Sequence, residues 1–290
     1  MATIADVIAA LPLPLICAPM TGVSGPELAA AACVAGVAGS FPTRNCESIG
    51  ELDEWLARIQ AERAAAANAG ARVGPLAVNL IIRGNRRIAE DIDQIVKHGV
   101  DFVITSVGSP VEVVAPLHAA GVSIIADVAS MHHGMRALEA GVDGLVLLTA
   151  GAGGHTGWAN GFAFVRAMRA EYAGPLVMAG GISDGAALWA ARVLGCDLGY
   201  MGTKFIATTE ARSSEEYRQA LLTSSMDDVT LGIAPNGIAA SSLRTGPGSA
   251  GHSVSGVHGI TSAAELVETT QREWDAAIRD TSALAAKLLG

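Results

Sequence analysis

The chain carries no basic run. Its 19 Lys and Arg are scattered and are outnumbered by 28 Asp and Glu, for a formal charge of −9 over 290 residues. Nucleic acid and anionic membrane surfaces attract the opposite pattern, so neither is expected as a partner. Cysteine is as sparse. Cys17, Cys33, Cys46 and Cys196 stand far apart, and none forms a CxxC or CxxH pair. A metal site of the zinc type therefore has no sequence support, and scattered cysteines in a chain of this size fit a reducing cytoplasm. No uninterrupted apolar stretch reaches ~18 residues, so no transmembrane helix is expected. The first basic residue is Arg44, which leaves the apolar start without the charged region of a secretory signal. Aromatics supply only 4% of the residues, and the apolar half of the chain comes mainly from alanine, glycine, valine and leucine. Such residues suit helices packed closely on a parallel sheet.

What is present is a regular alternation. Short apolar runs read as buried strands at 13–20, 37–41, 75–82, 100–106, 122–127, 145–149, 175–181 and 197–202. Between them lie longer polar-faced stretches with helix signals: Pro26 after Ser24, Ser48, Pro110, Ser130 and Asp184 at starts, and Gly36, Gly70, Gly99 and Gly121 at stops. Three helix-to-strand joints repeat one pattern, Gly99-Val-Asp101, Gly141-Val-Asp143 and Gly195-Cys-Asp197. Eight strand–helix units by about residue 225 predict an α/β fold of the closed (β/α)8 TIM-barrel type. An open doubly wound sheet is the other reading, but the glycine fingerprint it needs after the first strand is missing. Residues 1–225 are expected to form the barrel. Residues 226–290 form a C-terminal extension: a Gly-, Ser- and Pro-rich stretch at 232–260, either a lid or a plain connection, then a helix from Glu265 to Leu289.

The chemistry points to Leu145-Val-Leu-Leu-Thr-Ala-Gly-Ala-Gly-Gly-His-Thr-Gly157. A strand that stops at Gly153-Gly154-His155 puts an imidazole at the carboxyl end of the sheet, where α/β folds place their sites. His155 is there a candidate catalytic residue, although a lone loop histidine is also commonly structural. Ala179-Gly-Gly-Ile-Ser-Asp-Gly185 follows the seventh strand and Met201-Gly-Thr-Lys-Phe205 the eighth. Backbone N–H groups in such loops, joined by a helix N-terminus, make an anion site, and barrels commonly hold a phosphate between these two loops. Lys204 either adds a point charge there or lies on the surface. Asn79 interrupts an apolar strand as a satisfied core amide or a ligand-facing group. His132 and His133 follow a strand end and either reach the pocket or begin a solvated helix, with no carboxylate or cysteine nearby to suggest a metal.

Taken together, Ala18-Pro-Met20, Val78-Asn79-Leu80, Ala152-Gly-Gly-His-Thr-Gly157, Ala179 to Gly185 and Met201 to Phe205 resemble the nitronate monooxygenase family, formerly the 2-nitropropane dioxygenases. The resemblance implies a TIM barrel that holds FMN without a covalent link. It implies that Ala18, Pro19, Met20 and Asn79 lie near the flavin ring, with Gly153 and Gly154 beside it. It implies that Gly180, Gly181, Met201, Gly202 and Thr203 hold the phosphate and that His155 is the active-site histidine. The implied reaction is oxidation of an alkyl nitronate by O2 to a carbonyl compound and nitrite. The implied partners are a small-molecule substrate with O2 or NAD(P)H, and a second copy of the chain in a homodimer.

Many relatives read Gln-Gly-x-Glu before Ala-Gly-Gly-His, and Leu148, Thr149, Ala150 and Gly151 stand there instead. Leu148 has no side-chain hydrogen bond to give a flavin. Two further readings therefore accompany the first: an FMN-dependent NAD(P)H reductase of quinones or enoyl thioesters, and a flavin-free phosphate-binding barrel.

Overall fold

The structure is a computed structural model that describes residues 3–289. A short helix, α1 (Ile4–Ala10), precedes the first strand, β1 (Leu15–Cys17), and its helix α2 (Pro26–Val34). The units then run β2 (Gly39–Pro42), α3 (Ile49–Asn68), β3 (Leu76–Ile81), α4 (Ile88–Lys97), β4 (Phe102–Ser106), α5 (Val111–Ala119), β5 (Ser123–Val128) and α6 (Met131–Glu139). After β6 (Gly144–Leu148) a two-residue strand, β7 (Gly154–His155), interrupts the alternation before α7 (Gly161–Glu171). β8 (Leu176–Ala179), α8 (Gly185–Leu194) and β9 (Leu198–Met201) complete the barrel. The chain continues through α9 (Thr203–Ile206), α10 (Glu215–Thr223), the hairpin strands β10 (Val229–Ile233) and β11 (Ala239–Leu243), and the long helix α11 (Ala263–Leu289).

Eight parallel strands run in the order β1-β9-β8-β6-β5-β4-β3-β2, and an Ile16–Ala38 bridge closes β1 on β2. The fold is a TIM barrel. The strands are apolar on both faces because both are covered. Ile16, Ala77, Phe102, Ile104, Ile125, Val146, Val177 and Leu198 fill the interior, while Leu15, Leu76, Val78, Val103, Ile124, Leu145 and Leu176 face the helices. α1 plugs one end of the interior with Ile4, Val7, Ile8 and Leu11. Truncating Phe102, which is 1% exposed in that interior, costs about 3–5 kcal/mol.

The repeated Gly-x-Asp joints explain part of the closure. Asp101, Asp143 and Asp197 each reach back to the preceding barrel strand. Their carboxylates accept from Leu76 N (2.8 Å), Ile124 N (2.7 Å) and Leu176 N (2.9 Å). Their own N–H groups donate to the carbonyls of the same three residues. Each aspartate thus satisfies the backbone at the start of two neighbouring strands, a need that recurs at every joint of a parallel sheet.

Three parts of the structure differ from the sequence reading. α1 and α10 were not foreseen, α4 starts at Ile88 rather than at Gly84-Asn85, and the Gly-rich stretch contains a hairpin. β10, β11 and β7 form an antiparallel sheet with Ala240 opposite His155. α11 packs on α8, where Trp274 meets Trp189 edge-on at 5.3 Å. Trp189 Nε1 donates to Thr281 Oγ1 across 2.9 Å. Among the described residues no helix is long and apolar enough to cross a membrane, and no cluster of His, Cys, Asp or Glu could hold a metal ion.

Candidate active site

With α1 closing one end, the carboxyl ends of the strands open into a cavity of about 380 Å³, a size that suits a small cofactor or ligand. Its lining brings together Ala18, Pro19 and Met20 after β1, Asn79 on β3, Gly153, Gly154 and His155 on the loop after β6, Gly180 and Gly181 after β8, and Gly202 and Thr203 after β9. Met201 alone of the expected residues points elsewhere. It is buried in the layer under the helices, and its carbonyl accepts from Ala18 N at 2.9 Å. Lys204, His132 and His133 do not line the cavity, and both histidines are exposed at the start of α6.

The floor is the last inward-facing layer of the barrel. Alternation along each strand puts Asn79, Ser106, Asp127, Leu148 and Tyr200 there, two residues beyond Ala77, Ile104, Ile125, Val146 and Leu198. Asn79 Nδ2 donates to Ile104 O (2.9 Å) and Ser106 Oγ (3.0 Å), so this amide is both satisfied and ligand-facing. Asp127 and Tyr200 are different. Asp127 Oδ1 and Tyr200 Oη are buried without a hydrogen-bond partner. What surface the two residues keep opens into the cavity rather than to bulk water. Burial pushes the Asp127 carboxyl up to about 7 and the Tyr200 phenol well above its ordinary value, with the Asp127 charge adding to the latter. A buried polar atom without a partner is costly, and both residues line the cavity.

The glycine loops leave backbone donors free. Gly180 (φ +113°) has no room for a side chain, since a Cβ would stand 2.4 Å from Thr149 Oγ1. That hydroxyl donates to Ala179 O (2.8 Å), which ties the loop after β6 to β8. A Cβ on Gly181 (φ +78°) would instead project into open cavity space, and one on Gly202 would meet only Met20 and Ala18 at ordinary contact. Among the described residues no protein acceptor serves the N–H of Gly181, Gly202 or Thr203. The helix N-terminus expected to join them is already taken. Asp184 caps α8 through Ala187 N (2.7 Å), and Glu273 of α11 accepts from Gly185 N (3.0 Å). The free donors at this end are those of Gly181, Gly202 and Thr203.

His155 stands at the mouth. Its Nε2 accepts from Asn236 Nδ2 at 3.0 Å, and the amide is oriented by Ile238 N, which donates to Asn236 Oδ1 at 3.2 Å. The neutral ring then carries its proton on Nδ1. Desolvation lowers the His155 pKa, so the ring is neutral at neutral pH. The stretch after α10 closes the mouth: Ala234, Ala240, Gly248, Ser249 and Ser253 line the cavity, and Gly251 N donates to Thr203 Oγ1 at 3.0 Å. Sequence reasoning missed Asp127, Tyr200 and Asn236. The first two carried a signal, a polar residue two positions beyond an inward-facing aliphatic one.

A barrel with glycine loops after its last two strands, free backbone donors and a loop histidine over one cavity is the architecture of a TIM-barrel enzyme. The family described as nitronate monooxygenase matches residues 4–250. A nitronate monooxygenase of Paraburkholderia phytofirmans is 31% identical over 267 residues, covering 79% of this chain and 73% of that one. The fold superimposes on FabK from Thermotoga maritima with a TM-score of 0.86 at 21% identity, over 98% of this chain and 99% of that one. It superimposes on a nitroalkane oxidase from Streptomyces ansochromogenes with a TM-score of 0.84 at 21% identity, over 95% and 99%. The chain belongs to the nitronate monooxygenase family and is an oxidoreductase acting on a small molecule.

Proposed function

We propose that the protein binds FMN in this cavity and oxidises alkyl nitronates with O2 to a carbonyl compound and nitrite. The observation that carries the reading is the meeting in one cavity of His155, the glycine loops and two residues, Asp127 and Tyr200, that each bury a partnerless polar atom. The residues fit the cofactor. Free N–H groups of Gly181, Gly202 and Thr203 suit a single phosphate. The partnerless Asp127 and Tyr200 suit a flat ring edged with carbonyl and imine acceptors. FMN, when bound, supplies one-electron oxidation of the substrate and passes the electrons on to O2.

The chain's own groups have separable tasks. The glycine loops hold the phosphate end. Asp127, protonated below about pH 7, and Tyr200 each have an O–H to donate across the floor. His155, neutral and protonated on Nδ1, donates to an oxygen of the nitronate and holds it in place. Because Nε2 is occupied by Asn236, the ring is a poor base for the α-proton of a neutral nitroalkane. Preformed nitronate is therefore the preferred substrate. The extension from 226 onward excludes water above the site.

A second reading, an FMN-dependent NAD(P)H reductase of quinones or enoyl thioesters, is favoured by one feature: Leu148 puts an apolar side chain on the floor where many relatives have glutamine. Absorbance of the purified protein separates these from a flavin-free barrel. Anaerobic mixing then separates the first two. Bleaching by nitronate but not by NADPH supports the oxidation, whereas bleaching by NADPH alone moves the reductase ahead. A protein that stays colourless after FMN addition and desalting removes both.

A further inference from the structure

A second pocket, of about 290 Å³, lies beside the main cavity and shares Ile81 with it. It is walled by two loops, residues 43–46 after β2 and residues 82–87 after β3, and it contains Arg44, Arg86 and Arg87. Three arginines in one pocket reverse the sign of a chain whose net charge is −9.

The three differ in what they do. Arg87 is spent on structure. One of its terminal nitrogens donates to Thr43 O and Cys46 O at 2.5 and 2.8 Å, and its Nε pairs with Asp91 Oδ1 at 3.2 Å. That ion pair is too bent to count as a hydrogen bond, since Oδ1 has no partner of that kind. Asp91 is fully buried, and its Oδ2 accepts from Thr43 Oγ1 and Asn85 Nδ2, both at 2.9 Å. A buried carboxylate with three such contacts locks both loops against each other and cancels the Arg87 charge. It leaves Arg44 and Arg86 uncompensated. Both are exposed, and among the described residues neither has a carboxylate within 4 Å. A braced pocket with two free guanidinium groups is built for an anion that accepts from several N–H donors at once.

The position says which part of a ligand this is. The loops after β2 and β3 lie two to four strand places around the ring from those after β8 and β9, so this is not the proposed FMN phosphate site. It meets the main cavity at Ile81, two residues along β3 from the floor residue Asn79. We propose that Arg44 and Arg86 bind the phosphate group of a nucleotide-bearing substrate whose reactive end enters the main cavity. The chemistry is a phosphate ester, and two sources carry it: a pyridine nucleotide or a coenzyme A thioester. The site rests on the second reading, the reductase, with the main cavity as its reaction chamber, but its test does not require turnover.

The test is calorimetric binding of two unreactive probes, coenzyme A and 2′-phospho-ADP-ribose, to the FMN-loaded protein and to Arg44→Gln, Arg86→Gln and the double variant. Flavin content and thermal unfolding are recorded alongside. Binding of either probe should weaken about tenfold or more for each arginine removed and should weaken with added salt, while flavin content and unfolding stay the same. Binding of coenzyme A alone assigns a thioester, and binding of 2′-phospho-ADP-ribose alone assigns the pyridine nucleotide. Failure of the parent protein to bind either probe, or equal binding by parent and double variant, overturns the site. Nitronate oxidation by the double variant, measured separately, shows whether the reading of the main cavity stands on its own.

Discussion

Asn236 donates to His155 Nε2 across 3.0 Å, from a turn 81 residues further along the chain. The catalytic candidate is therefore held by the element that covers it. The bond fixes the Nδ1–H tautomer and takes up the lone pair that a general base would use. His155→Ala should keep its flavin spectrum and lose about 10²-fold or more in turnover, the scale of one acid–base or oxyanion group. Asn236→Ala should lose about five- to tenfold, one hydrogen bond's worth, and should narrow the preference for nitronate over nitroalkane. Steady-state rates on both substrates check this. Parent-like rates in His155→Ala would make the residue structural.

The glycine loops predict a graded series. Gly180→Ala drives a Cβ to within 2.4 Å of Thr149 Oγ1 at φ +113°, and it should lower stability by several degrees through strain and overpacking. Gly202 has an ordinary backbone conformation, φ −109°, so Gly202→Val should fold and yet lose flavin. Gly181→Val sits between the two, adding left-handed strain of about 1 kcal/mol to the same loss of cofactor. Flavin occupancy read beside thermal unfolding orders the three. Full occupancy in Gly181→Val and Gly202→Val would place the phosphate elsewhere.

How much of this was legible in the sequence depends on the range over which a signal acts. The eight units were legible because each strand is a continuous buried run and three joints repeat Gly-x-Asp, whose backbone bonds are local to neighbouring strands. Met20, Asn79, His155 and Thr203 were legible because they stand at strand ends, where the barrel topology alone brings residues together. The hairpin was not. Leu231 and Ile233 are 66% and 74% exposed, so β10 lacks the buried alternation that betrays a strand. Arg44 and Arg86 come from separate loops and meet only through the Asp91 brace, which no spacing in the chain encodes. That the α8 N-terminus is occupied was not legible, because its second carboxylate, Glu273, arrives from α11.

The cover over the site is tied down mainly by single hydrogen bonds. Gly251 N reaches Thr203 Oγ1, His252 N reaches Gly151 O at 2.9 Å, and Asn236 reaches His155. Ala239 O accepts from Thr156 N, Ser249 O from Tyr217 Oη and Ser255 Oγ from Met226 N, and β11 pairs with only the two residues of β7. Bound FMN and substrate should add to these, so limited proteolysis within residues 229–256 should slow when ligand is present. Thr203→Val, which removes one tie, should speed cleavage with or without ligand. Cleavage that ignores ligand would reduce the stretch to a plain connection.

Asp127 gives the pH prediction. Its carboxyl has an ordinary pKa of 3.8 and is raised to about 7 by burial. The folded state thus holds its proton where the unfolded chain has released it. Stability contributed at this site is intact below about pH 4, falls as pH rises, and is fully lost above about pH 7. The three-unit difference sets an upper bound of about 4 kcal/mol, reduced by whatever water the cavity admits. In the flavin-free protein, Asp127→Asn should therefore raise the unfolding temperature at pH 8, raise it less at pH 6, and leave it nearly unchanged at pH 4. Adding FMN should shrink the difference, because the cofactor supplies the partner that Oδ1 lacks. Melting curves for parent and variant, taken with and without FMN at the three pH values, test both statements. Curves that run parallel across pH would show that the carboxyl titrates normally and does not face a dry floor. A difference that survives FMN unchanged would mean that the cofactor's ring does not reach Asp127.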